Sequence, residues 1–68
     1  MKELFIEALQ SRYVSEIKVA KATIQVYLEK SVGIGEHPDV MGAIDQEINS
    51  IAQNHEKIDI INHYFLNA

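Results

Sequence analysis

Apolar residues recur along this chain with a helical period, in two long arms. The second arm is the cleaner. Met41, Ile44, Ile48, Ile51, His55, Ile58, Asn62 and Phe65 follow one another at spacings of 3-4-3-4-3-4-3, the seam of a helix that packs on a neighbour through heptads. In the first arm Ile6, Leu9, Tyr13, Ile17, Ala20, Ile24 and Tyr27 are spaced 3-4-4-3-4-3, the same repeat with one slip. Between the arms lies Ser31-Val32-Gly33-Ile34-Gly35-Glu36-His37-Pro38, which holds the only proline and every glycine except Gly42. The pattern predicts one helical-hairpin domain over residues 1–68, with a helix over about 2–31, a loop over 32–37 and a helix over about 38–66.

The loop chemistry suits that division. Gly33 stands where a left-handed residue would close the first helix, with Ile34 folding back onto Leu28. Pro38 suits the first turn of the second helix, where its missing N–H is no loss, and Asp39 follows as an acid in that turn. Two seams joined by so short a loop must meet antiparallel. Partners then sum to about 69 on equal rise per residue, which sets Ile17 against Ile51 or Ala52, Ala20 against Ile48, Ile24 against Ile44, and Tyr13 near His55.

The seams leave apolar surface over. Phe5, Val19 and Val26 widen the apolar arc of the first helix to about 200°, roughly twice what one neighbouring helix covers. On the second arm Ile60, Ile61 and Tyr64 likewise fall outside the seam. So small a chain cannot offset its ordering entropy with one hairpin seam. The expected fold class is therefore all-α, an antiparallel two-helix hairpin dimerising into a four-helix bundle, with a tetramer or a larger host or viral protein as other ways to cover the same surface. The candidate interface residues are Phe5, Val19, Val26, Tyr27, Ile60, Ile61 and Tyr64.

Composition narrows the function classes. Ten acids against six bases give a formal charge of −4, which argues against a broad phosphate-binding surface, so nucleic acid is not the expected partner. With no cysteine there is no disulfide scaffold, thiol nucleophile or Cys-type zinc site. No apolar run is long enough to span a bilayer, so a membrane is not expected as a partner either. The early acids Glu3 and Glu7 interrupt what a signal peptide would keep apolar, which points to the cytoplasm.

Polar residues within the apolar arcs are the only candidates for chemistry. His55 and Asn62 stand at seam positions, where they can fix register as a buried asparagine does in coiled coils. His55, Asp59 and His63, four residues apart in turn, form a stripe that offers nitrogen and oxygen ligands to a divalent ion, with Glu56 at its edge and Glu16 arriving from the first helix. No Glu-x-x-His pair accompanies them, so the carboxylate-bridged di-metal pattern is missing, and no metal or other cofactor is assigned. Arg12 and Glu16 make an i, i+4 pair that would border an interface and bridge to Asp59 or Glu56. Nothing marks a nucleophile, an oxyanion hole or a substrate pocket, so no catalytic residue is assigned and the chain is not expected to be an enzyme.

Charge divides unevenly. Residues 1–31 carry five bases and four glutamates, whereas the arm from Asp39 carries five acids and Lys57 alone. Lys18 and Lys21 lie opposite the first seam, and the architecture resembles Rop, a plasmid-encoded hairpin that dimerises and binds paired RNA loops through its first helix. That likeness is one of fold and length and carries no residue across. It implies, as the alternative function, a nucleic-acid-binding hairpin, beside a metal- or small-ligand-binding bundle.

The stretch Val32-Gly33-Ile34-Gly35-Glu36-His37-Pro38, with Met1 through Leu9 before it, resembles small open reading frames of tailed bacteriophages, marine ones above all. The resemblance covers most of the chain and implies a phage or marine-metagenome source and no functional residues. It favours a small regulator or assembly factor acting on a larger protein over a metabolic enzyme. The function expected from the residues is a non-enzymatic, self-associating interaction module.

Overall fold

The computed structural model describes residues 2–29 and 39–66. Helix α1 runs Lys2–Glu29 and α2 runs Val40–Ile61, continued by a π-helical turn over Asn62–Leu66. Neither helix meets a proline, and the one glycine, Gly42, sits in the first turn of α2. The proposed roles of Gly33, Ile34 and Pro38 fall outside the described residues.

The start of α2 is built by Asp39. Its carboxylate accepts the Gly42 N–H at 3.1 Å and its carbonyl accepts the Ala43 N–H at 3.1 Å. Asp39 is thus the N-cap and not a first-turn residue: its backbone (φ −109°, ψ 42°) lies outside the helix, which leaves its side chain free to turn back on the orphan donors. A Cβ on residue 42 would run into that carboxylate. The helical glycine is therefore the residue that lets the cap close.

The arms pack antiparallel. Gln10 reaches Asn62 and Tyr13 reaches Lys57, so as one arm ascends the other descends, with pairs summing to 70–72. The molecule measures 51 × 16 × 12 Å with a radius of gyration of 15.7 Å. A compact domain of this length would have about 11 Å. The described residues make one helix layer.

Burial locates the seam. On α1 the shielded residues are Ile6, Leu9, Gln10, Tyr13, Ile17, Ala20, Thr23 and Ile24. Gln10 resolves the slip in the first arm, because 6-10-13-17-20-24 is an unbroken 4-3-4-3-4 heptad seam with a polar residue at one position. On α2 the seam is Val40, Ile44, Glu47, Ile51, Asn54, Ile58 and Ile61. Ile44, Ile51 and Ile58 keep their expected places. Met41, Ile48, His55 and Asn62 do not: each gives way to the residue just before it, so the helix is rotated by about half a residue step. Phe65 also lies outside, because an i→i+5 turn holds more residues than an α turn and loses the heptad phase after Asn62.

Asn54 makes that rotation possible. It is 7% exposed, yet its Nδ2 donates to the Ser50 carbonyl at 2.8 Å, and among the described residues no buried side-chain nitrogen or oxygen lacks a partner. Among the described residues only Ala20 (1%), Ile61 (6%) and Asn54 are buried. Ala20 is the most deeply buried of them, a small methyl at the middle of the α1 seam.

Candidate interaction surface

Two cross-helix contacts divide the hairpin into sides. On one, Gln10 Nε2 donates to Asn62 Oδ1 at 3.0 Å; on the other, the Lys57 ammonium lies 5.5 Å from the centre of the Tyr13 ring. Heptad stripes carry these marks along the rod. Asn62 shares its stripe with Met41, Ile48 and His55. Leu9, Glu16 and Thr23 border the Tyr13 edge of the α1 seam, and Phe5, Arg12, Val19 and Val26 lie just outside them.

The Tyr13–Lys57 side collects most of the expected interface residues. Phe5 (68%), Val19 (58%), Val26, Ile60 and Tyr64 are all exposed, and Tyr27 stands at the edge of the seam. Ile61 differs. At 6% exposure it belongs to the hairpin's own seam and not to an outward face, because the rotation of α2 turns it onto α1. The side marked by Gln10 and Asn62 is less uniform. Its α1 stripe runs Glu7, Val14, Lys21 and Leu28, whereas α2 presents Met41 (84%) and Ile48 there.

A third apolar concentration lies at the end of the rod away from the interhelix connection. Leu4 and Phe5 open α1, and Tyr64, Phe65 and Leu66 close the chain's helical part, all well exposed. The antiparallel register sets these residues at one level. Here the π turn decides the outcome, since a continuing α-helix would have carried Phe65 back to the seam.

The polar candidates are dispersed. His55, Asp59 and His63 are all exposed, and the change to π geometry at Asn62 breaks the stripe between Asp59 and His63. The His63 ring instead meets the edge of Tyr64, with centroids 4.6 Å apart and planes at 89°. Among the described residues no group of three or more histidine, aspartate or glutamate side chains is arranged to hold a metal ion. Tyr13 meets Lys57 and not His55. Glu56, Arg12 and Glu16 are exposed, and among the described residues neither Arg12 nor Glu16 has an ion-pair partner, so the bridge to Asp59 or Glu56 does not form within the hairpin.

Among the described residues, Glu7, Gln10, Ser11, Val14, Ser15 and Lys18 line one surface depression on α1, and Asp59, Asn62, His63 and Leu66 line another at the end of α2. Both are open troughs between side chains. Lys18 and Lys21 are exposed on α1. None of the described helices is long and apolar enough to cross a membrane.

Sequence reasoning passed over Gln10, Asn54 and Lys57. Gln10 was signalled by the slip in its own arm, where the regular heptad position is residue 10. Asn54 and Lys57 carried no such sign, because each depends on which way α2 is rotated. Comparison with protein-family models, with curated proteins and with solved structures finds no match to this chain.

Proposed function

We propose that this chain is a non-enzymatic helical-hairpin module whose work is association, with a second copy of itself as its first partner and a four-helix bundle as the product. One observation carries the reading: Ala20 and Ile61 are the only buried apolar residues among those described, while large side chains along the whole rod stand in water. The accessible surface is 5639 Å², against about 4,300 Å² for a compact monomer of this mass. The surplus of about 1,300 Å² exceeds the roughly 800 Å² that each partner contributes to a standard stable interface. A second hairpin laid against the first supplies the missing layer, and two-fold closure keeps the assembly finite.

Sedimentation equilibrium at micromolar concentration tests this. The expected result is a mass at least twice the 7.7 kDa of the chain. A folded, helical species of single-chain mass across that range overturns the reading. A larger protein as the occupant would give that result in isolation and stoichiometric binding in its presence.

A further inference from the structure

The outer flank of α1 on the Tyr13 side reads, in order, Phe5, Leu9, Arg12, Glu16, Val19 and Thr23. These residues follow at 4-3-4-3-4, so they form a second heptad seam beside the one α2 occupies. A two-fold axis across a helix pairs residue i with j and j with i. For an antiparallel pair of such seams whose partners sum to 28, Phe5 meets Thr23 of the second copy, Leu9 meets Val19, and Arg12 meets Glu16. The sequence is self-complementary in this register: Leu9 opposes Val19, Phe5 opposes Thr23 with its methyl group, and the two charges oppose their opposites, twice over. Moving the register by one heptad, to a sum of 35, sets Glu16 against Val19 and Arg12 against Thr23.

Three structural observations support this pairing. Arg12 and Glu16 are both exposed, sit one turn apart, and have no ion-pair partner among the described residues, so both charges are available to a second chain. The Thr23 hydroxyl already donates to the Val19 carbonyl at 2.8 Å, so it brings no unpartnered donor to the contact with Phe5. The register also engages residues 2–26 of a helix that spans Lys2–Glu29, which leaves almost none of α1 overhanging.

Resting on the self-association reading above, we propose that a second copy of this chain docks antiparallel along the Phe5–Thr23 flank of α1, with reciprocal Arg12–Glu16 pairs astride the two-fold axis fixing the register. The apolar layers supply the burial, and the central charges select this alignment over its heptad shifts.

Charge reversal tests it. R12E sets carboxylate against carboxylate at both central pairs, and E16R sets guanidinium against guanidinium there. Each variant alone should therefore dimerise about tenfold or more weakly than the parent. Mixed in equal amounts, the two variants regain one pair of opposite charge in place of a repulsion at each site that the parent register defines, and should form a heterodimer more tightly than either forms a homodimer, measured by sedimentation with one chain labelled. The exchange R12E/E16R in a single chain should restore the homodimer close to parental affinity, because both reciprocal pairs are then rebuilt with their signs swapped. If either single variant should fail to fold on its own, recovery of helical circular dichroism in the double exchange reports the same rescue. Single variants as tight as the parent, or a double exchange no tighter than its single components, overturn the assignment while leaving self-association standing. A monomeric parent instead overturns self-association itself.

Discussion

At the scale of single residues, the start of α2 is the most sharply determined point. The Asp39 carboxylate, the Gly42 N–H and the absence of a Cβ on Gly42 form one unit, since the carboxylate occupies the space a Cβ would take. Asp39→Ala should lower stability by about 1 kcal/mol in urea unfolding, the usual value of an N-cap. Asp39→Asn should retain most of it, since an amide oxygen accepts the same bond. Gly42→Ala is informative in combination. Alanine gains about 1 kcal/mol of helix propensity, but its methyl displaces the capping carboxylate. The substitution should therefore stabilise the D39A background more than the parent. Equal gains in the two backgrounds would show that the cap and the glycine are independent. The Gln10–Asn62 bond follows the same logic of pairing. A polar side chain on the α1 seam is tolerated because its amide reaches across to a partner on the other arm.

At the scale of elements, two helices and their antiparallel order were legible from the period of apolar residues and from where glycine and proline cluster. The rotation of α2 was not. Its apolar arc has Ile44, Ile51 and Ile58 along the centre, with Val40, Glu47, Asn54 and Ile61 on one shoulder and Met41, Ile48, His55 and Asn62 on the other. By hydrophobicity alone Met41 and Ile48 outrank Glu47 and Asn54, so the second shoulder was the natural choice. What accompanies the other orientation is tertiary: the burial of Ala20 and Ile61, and an asparagine that satisfies itself on the Ser50 carbonyl. The exposure of Phe5, Val19, Val26, Ile60 and Tyr64 was legible as surplus apolar positions, whereas Ile61 is buried by this rotation. The metal stripe failed for a local reason, since four-residue spacing presumes α geometry and the chain leaves it at Asn62. The seam at Ala20 gives its own prediction. Ala20→Leu inserts a branched side chain at a fully buried seam position and should cost about 1–3 kcal/mol, the range for overpacking, measured by thermal or urea unfolding. Loss of less than about 0.5 kcal/mol would mean that the helices separate there without penalty.

At the scale of the whole molecule, shape and surface point the same way. A rod 12 Å thick is one layer of helices, and domains gain stability from layers packed on each other. The apolar side chains that a single hairpin leaves in water are therefore expected to carry most of the stability of whatever assembly the chain forms. Thermal unfolding can read this without separating species, because a state held together by association unfolds at a temperature that rises with protein concentration. Over a hundredfold range of concentration the parent's midpoint should climb steadily, whereas an independently stable hairpin would hold it constant. Substitution then locates the surface responsible. Val19, at 58% exposure, is a solvent-facing residue if the hairpin stands alone, and Val19→Asp would change stability by no more than about 0.5 kcal/mol. Set against Leu9 of a second copy, the same aspartate is buried opposite an apolar side chain with no partner for its charge. The midpoint should then fall and lose its dependence on concentration. Val14→Asp places the same charge on the opposite flank of α1, where its effect should stay within about 0.5 kcal/mol. A Val19→Asp protein that keeps the parent's concentration dependence would place the contact elsewhere on the rod, most directly on the Met41–Ile48 stripe.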